Sequence, residues 1–400
     1  MSQALFYHFL GIYGYHHLRS HGKGRALYLY VVRNKKRCSN CQSYKVTQKG
    51  HIWRRIRSLP IGSKPVFAII KMRRFYCEDC QQKRFENLVI VDRKKHYTHS
   101  MENYVMDLCS VMTVSDVAKH TGLHWNTVKE IDKKRLKRNL PKPDDLRQIR
   151  FLGIDEVSVK RGHRYLSVIV DLETGRVVYV GKNRRVESVA PFFRRLKRLG
   201  VRPLAIAMDM WPPFAKAVRL NYRGMPLVYD AFHIIADYSR TLNEIRVEEY
   251  KKLEEQEQGR IIKGSRYLLL KGQEKLSLPA REKLDALLCI NRPLNIAYVL
   301  KEDLRRLWKL PSRNQAERFF NDWIHKALSS GIIQLTRFAR KMRRHFAGIL
   351  NYFLFPISTA KVEGINNRIK VIKRKAYGYR DTDYFKLKIY NLHTTRSSLL

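Results

Sequence analysis

Three carboxylates stand in separate contexts that suit phosphoryl-transfer chemistry: Asp155 in FLGIDEVSV, Asp209 in LAIAMDMW and Glu363 in AKVEGINNRIKVIKRKAYGYRD. The first two each close a short apolar run of the kind that forms a buried strand. The third opens a segment with helical periodicity and a lysine and arginine face. Breaking or joining a phosphodiester needs charge stabilised on both the attacking and the leaving oxygen, which two Mg²⁺ ions about 3.5 to 4 Å apart can supply. Mg²⁺ takes carboxylate oxygens and keeps several waters, and Mn²⁺ suits the same donors. Asp155 would bridge both ions, with Asp209 and Glu363 each completing one shell. An Asp at a strand end is also a common turn residue or helix cap. Glu156, Asp171 and Asp230 occupy similar places, so the residues by themselves do not single out the three.

These acids need elements to position them. From Phe151 the chain reads as FLGIDEVSV, RYLSVIVDL and RVVYVG, the last two joined by a Glu173, Thr174, Gly175 turn, a hairpin signal. A helix from about Val186 to Leu199, the strand PLAIAMD, a helix after Pro212 and Pro213, and the strand MPLVYD follow. The order βββαβαβ with a late helix is that of a ribonuclease-H-like core, in which the first and fourth strands are neighbours. Asp155 and Asp209 would then be close in space. A helix starting near Lys361 puts Glu363, Asn367, Lys370 and Arg374 on one face, so Lys370 and Arg374 are candidate contacts to a DNA backbone. Between about Ser239 and Leu350 the sequence is helix-rich and reads as an insertion.

Four of the six cysteines form Cys38-x-x-Cys41 and Cys77-x-x-Cys80. In a reducing compartment such pairs are ligands of a structural tetrahedral Zn²⁺ before they are disulfides. The stretch LPIGSKPVFAIIKMRRFYC reads as a turn and strand that could bring the two pairs together. Cys109 and Cys289 have no paired neighbour and are expected as core thiols. Residues 113–131, TVSDVAKHTGLHWNTVKEI, have the spacing of two short helices about Gly122, a helix-turn-helix pattern. Its second helix would offer Asn126, Thr127, Lys129 and Lys133 to DNA. The basic KKRLKRNLPKPDD that follows reads as a linker ended by two prolines.

Composition narrows the partner. With 80 Lys and Arg against 35 Asp and Glu the net charge is +45, and the default partner of such a chain is nucleic acid. The basic residues run its whole length instead of clustering beside one span. No apolar stretch reaches the roughly 18 residues that cross a bilayer, and the N-terminus lacks the marks of a signal peptide. A cytoplasmic protein associated with the nucleoid, with no membrane partner, is expected.

The two CxxC pairs with RFYCEDCQQKRFEN, the helix-turn-helix, GIDEVSVKRGHRYLSVIVDLETGRVVYV, AMDMWPPFAKAVRLNYRGMPLVYDAFHI and the terminal EGINNRIKVIKRKAYGYRD together resemble the ISL3-type insertion-sequence transposases, bacterial DDE enzymes. The likeness covers nearly the whole chain. It implies that Asp155, Asp209 and Glu363 are the catalytic metal-binding triad, preceded by a helical insertion. Asp230 and His233, in YDAFH, resemble a D-x-x-H element of related transposases and are candidates for a supporting role. The first knuckle reads CSNC where a proline commonly follows the first Cys, and MWPPFAKAV replaces a usually more polar stretch. The expected fold is a multidomain α/β chain: a zinc region at 1–95, a helix-turn-helix and linker at 96–148, core segments at 149–238 and 351–400, and the helical insertion at 239–350. The expected activity is cleavage of the element's ends in double-stranded DNA and their joining to target DNA by a homodimer or larger assembly. Alternatives are a DNA-binding regulator derived from a transposase and a metal-dependent nuclease of the same fold.

Overall fold

A computed structural model describes residues 3–160, 164–253 and 257–392. The chain forms two compact units, Met1–Leu140 with Tyr379–Leu400, and Pro141–Gly378.

The first unit opens with α1 (Gln3–Leu10) and five strands, β1 (Tyr15–Lys23), β2 (Ala26–Arg33), β3 (Val46–Arg57), β4 (Val66–Cys77) and β5 (Lys83–Phe85). They form one sheet in the order β1-β2-β4-β3 with β5 on β4, and only β2 and β4 run parallel. The period of two is plain in β4. Val66, Ala68 and Ile70 are buried while Phe67, Ile69 and Lys71 are partly exposed. The inward set packs with Leu29, Val31 and Ile56 against Phe6, Leu10 and Ile12, each large side chain contributing about 1.5–3 kcal/mol.

Three helices follow, α2 (His99–Val111), α3 (Val114–Thr121) and α4 (Trp125–Arg138). Thr98 caps α2 and Thr113 caps α3 through their hydroxyls, and Gly122 ends α3 at φ 70°, a left-handed conformation that favours glycine. The basic run from Lys133 to Arg138, expected as linker, instead continues α4. Its apolar stripe, Val128, Ile131 and Leu136, remains buried to that point. The closing helix Thr382–Tyr390 packs in this core through Tyr384. Asp132, fully buried, accepts hydrogen bonds from Tyr384 Oη at 2.5 Å and Arg135 Nη2 at 2.8 Å and pairs with Lys388 Nζ at 2.7 Å. The stretch expected as one last core segment, 351–400, therefore divides at Gly378, because its final helix buries its apolar side with the helix-turn-helix. Cys109 is buried there as expected, whereas Cys289 is exposed.

The second unit begins with α5 (Pro143–Arg147), then β6 (Phe151–Lys160), β7 (Arg164–Asp171), β8 (Val177–Lys182), α6 (Val186–Arg198), β9 (Ala205–Met208), α7 (Pro212–Asn221) and β10 (Leu227–Tyr229). The sheet order is β10-β9-β6-β7-β8. β6 and β7 pair antiparallel, as do β7 and β8, while β6, β9 and β10 are parallel, so the first and fourth strands of this unit are neighbours as expected. From α8 (Ala231–Lys252) the described chain is helical through α9 (Glu257–Gly264), α10 (Arg266–Leu270), α11 (Leu278–Ile290), α12 (Arg292–Arg306), α13 (Arg313–Leu328), α14 (Ile333–Arg344) and α15 (Phe346–Leu350) to α16 (Ala360–Lys375). α8 runs unbroken through the expected boundary at 238/239, since Ile234, Tyr238, Leu242 and Ile245 form one buried stripe. The helices surround Trp323, whose indole donates to the Leu300 carbonyl at 2.8 Å. No helix among the described residues is long and apolar enough to cross a membrane.

Candidate active site and zinc centre

Register brings the first two acids together. Ile154 on β6 pairs with Met208 on β9, so Asp155, within β6, and Asp209, just past the end of β9, each lie one residue further on at the same level of neighbouring parallel strands. Asp155 Oδ1 accepts from the Glu156 amide at 2.8 Å and Asp209 Oδ1 from the Met210 amide at 2.6 Å. Gly153 lets α16 approach: a Cβ there would lie 2.5 Å from Val362 Cγ2. Across this contact Asn366 Nδ2 donates to Asp155 Oδ2 at 2.8 Å, while Asn366 Oδ1 is buried without a partner.

The electrostatics follow from burial and like charge. Burial raises the Asp155 pKa and neighbouring Asp209 adds to the rise, opposed by the Glu156 amide, His233 and Asn366. Glu156 is raised by burial and by Asp155 and Asp209, and Arg184 opposes this from 3.4 Å. Arg184 is itself held over the rings of Tyr165, at 4.4 Å, and Trp211, at 4.6 Å. Asp155, Glu156 and Asp209 thus act on one another electrostatically, with Arg184 offsetting part of the negative charge.

The other expected residues fall less simply. Glu363 is exposed in the first turn of α16. Among the described residues the four cysteines are the set of three or more metal-ligating side chains whose donor atoms lie within 4.8 Å of one another, so the three acids are not drawn that close. Asn367, Lys370 and Arg374 are exposed as Glu363 is, and the buried stripe is Val362, Ile365, Asn366 and Ile369. Asp230 caps α8, accepting from the Phe232 amide at 2.8 Å, and its other oxygen takes the Thr359 amide at 2.8 Å and the Thr359 hydroxyl. It thus fixes the start of the α16 segment. His233 lies near Asp155, its Nδ1 buried without a partner. Of the residues expected to face DNA, Asn126 is exposed and Thr127 half-buried. Lys129 and Lys133 are instead paired with Asp381 at 2.8 and 3.0 Å, a partner contributed by the closing helix.

Sequence reasoning missed Asn366, Arg184 and a basic groove. A cavity of about 760 Å³ is lined by Gly331, Ile333, Thr336, Arg337, Arg340, Arg343 and Arg344. Just after it His345 meets the Tyr229 ring edge-on at 4.9 Å. Burial lowers its pKa, Lys341, Arg344 and Arg219 add to this, and Asp209 opposes them.

In the first unit the two CxxC pairs converge as expected. Cys38 Sγ lies 3.6 Å from Cys80 Sγ and Cys41 Sγ 3.5 Å from Cys77 Sγ, and all four lie within 4.8 Å of one another. A tetrahedral Zn²⁺ with Zn–S near 2.3 Å sets sulfur separations at about 3.8 Å, so the cage fits zinc. The knuckles repeat one local geometry. The Cys38 amide bonds to the Ser43 carbonyl and the Cys77 amide to the Gln82 carbonyl, and the residue after each second cysteine, Gln42 or Gln81, has positive φ.

The comparisons with known proteins agree with this layout. A transposase model of the ISL3 group matches residues 152–389, the helix-turn-helix domain of transposase family ISL3 matches 86–136, and the zinc-finger of transposase IS204/IS1001/IS1096/IS1165 matches 35–80. The chain is 36% identical over 371 residues to the transposase for insertion sequence element IS1001 of Bordetella parapertussis, covering 92% of this chain and 91% of that one. The chain belongs to the ISL3 transposase family. It is also 25% identical over 376 residues to the transposase for IS1557 of Mycobacterium tuberculosis, covering 88% of this chain and 83% of that one. Among solved structures the Drosophila P element transposase strand transfer complex matches with a TM-score of 0.36 and 12% identity, over 75% of this chain and 92% of that one. This ISL3 transposase thus carries a zinc ribbon and a helix-turn-helix ahead of its mixed α/β transposase core.

Proposed function

We propose that the chain binds the terminal inverted repeats of its own insertion sequence and catalyses metal-dependent strand cleavage and strand transfer on a ribonuclease-H-like core, in which residues 239–350 are a helical insertion. The observation that carries this reading is the placement of Asp155 and Asp209, each one residue past the Ile154–Met208 pair of two adjacent parallel strands, on the sheet against which the helix that bears Glu363 packs. These acids would hold Mg²⁺ or Mn²⁺, hard cations suited to carboxylate oxygens. When bound, such ions stabilise the charge that develops on the attacking and leaving oxygens. The protein's own share is positional: Asn366 and the Glu156 amide orient Asp155, Asp230 anchors the α16 segment through Thr359, and Arg337, Arg340 and Arg344 line a groove that offers cations for the DNA backbone. The zinc ribbon and helix-turn-helix would select the ends, and handling two ends at once calls for a homodimer or larger assembly on DNA.

The test incubates the full chain with Mg²⁺ and DNA carrying the element's ends. Wild type is expected to give cleaved and joined strands, and Asp155→Ala, Asp209→Ala and Glu363→Ala to lose them by about 10³-fold with end binding retained. Tight binding without wild-type products would instead support a DNA-binding regulator, and cleavage without joined strands a nuclease.

A further inference from the structure

The N-terminal sheet has two unlike faces. One packs against α1, and the other carries rings and guanidinium groups. His21, Tyr28 and Phe67 fall in one row across β1, β2 and β4. Their ring centroids are 5.1 and 5.4 Å apart, with interplanar angles of 12° and 19°. Tyr30, two residues beyond Tyr28, meets Trp53 edge-on at 5.5 Å, and Trp53 is 46% exposed. Cross-strand aromatic pairs stabilise many sheets, so the rings alone decide nothing.

The arginines among them do. Arg19 stands 4.5 Å over the Tyr30 ring, and Arg55 and Arg57 stand 4.5 and 5.1 Å over the Phe67 ring. Among the described residues no carboxylate is in salt-bridge range of these three, whereas Arg73 on the same sheet is paired with Glu86 at 2.8 Å. Arg57 donates from Nη2 to the Thr121 carbonyl at 2.8 Å, but its Nε and Nη1 are buried without a partner. Arg57 also lines a cleft of about 470 Å³ together with Trp53, Arg54, Arg55, Phe67 and His96. Arg55 is exposed in the same cleft, and a phosphate supplies the acceptors that a guanidinium without a carboxylate partner lacks.

We propose that this face binds unpaired nucleotides of single-stranded DNA, the rings stacking the bases and the arginines holding the phosphates. Stacking tolerates any sequence because every base has a π-face, and cations interleaved with rings are the recurrent means of holding such a strand. A lipid surface or an acidic peptide needs no regular alternation, whereas rings interleaved with cations along a sheet match a strand of alternating bases and phosphates. Binding here does not depend on the chemistry of the acids in the second unit.

The test titrates the full chain with labelled oligothymidylate of about ten nucleotides, within the site sizes of known single-strand binders, and with an abasic strand of equal length. Wild type is expected to bind the thymidylate at least about tenfold more tightly, the effect of stacking one or two bases. Trp53→Ala, at an exposed position, should bring that ratio close to one, and Arg55→Gln should weaken both strands. Trp125→Ala, at an exposed ring on α4, serves as the control and should leave the ratio unchanged. Equal wild-type affinity for the two strands, a ratio that survives Trp53→Ala, or one lost with Trp125→Ala would each overturn the proposal.

Discussion

The two units treat their reactive groups in opposite ways. In the zinc cage and the helix-turn-helix of the first, charges and ligands are resolved among themselves: four thiols close on one another, Asp132 takes Tyr384, Arg135 and Lys388, and Asp381 takes Lys129 and Lys133. In the second, Asp155 and Asp209 follow a paired position on adjacent strands, Asp209 adds to the cost of charging Asp155, Glu363 stands exposed, and one oxygen of Asn366 is buried without a partner. A closed cage is what a structural metal requires, because every ligand position is filled by protein. An open cluster of carboxylates retains places for water and substrate, which chemistry on a phosphodiester requires. Resolved charge around the cage and the helix-turn-helix stabilises the fold.

The largest break in this contrast comes from the cage. Cys38→Ser or Cys77→Ser removes one of four thiolates, and structural zinc contributes on the order of 10 kcal/mol to the folding of small zinc domains. Zinc per chain, measured by atomic emission, is expected to fall well below one, and end binding to weaken, while the sheet of the second unit keeps its amide protection. Full zinc content in both variants would refute the cage. A smaller effect tests the open site. Asn366→Ala removes the side chain that orients Asp155, and loss of such a supporting contact typically costs about 10–100-fold in metal affinity or activity. Mn²⁺ binding measured by calorimetry should weaken within that range with little change in melting temperature. An unchanged affinity would mean that Asn366 merely packs.

Much of this was legible in the residues, and the failures share a cause. The knuckles are written within four residues each, and the apolar runs around Asp155 and Asp209 disclose two buried strands whose adjacency follows from topology. Gly122 was identified from its place between two helical stripes. Charge read locally misled. The run from Lys133 to Arg138 looked like linker although Val128, Ile131 and Leu136 carry the helix through it. Counting from Glu363 selected Asn367, whereas the stripe of Val362, Ile365 and Ile369 points to Asn366 as the inward residue. The Asp381 pairing with Lys129 and Lys133 joins segments far apart in the chain, and no local pattern announces it. Nor does spacing show that Asp230 is occupied by Thr359, since that contact exists only after β10 and α16 have been brought together.

The finest test concerns that resolved pairing. The Lys129 ammonium, the Tyr384 amide and Lys133 hold the Asp381 carboxyl well below its ordinary value of 3.8. A carboxyl depressed by folding contributes stability that is complete above its unfolded value and is lost as pH falls through the folded one. The melting temperature of the wild-type helix-turn-helix unit is therefore expected to decline as pH drops below about 3.9, and Asp381→Asn to flatten that decline while lowering stability at neutral pH. The same substitution releases two ammonium groups on α4. Each extra phosphate contact steepens the dependence of log affinity on log salt by about 0.9, so Asp381→Asn should bind duplex DNA with a slope steeper by one to two such increments if those lysines reach the backbone. An unchanged slope with the altered acid profile would show that Lys129 and Lys133 serve the fold, and that DNA contact rests with Asn126 and Thr127 at the start of α4.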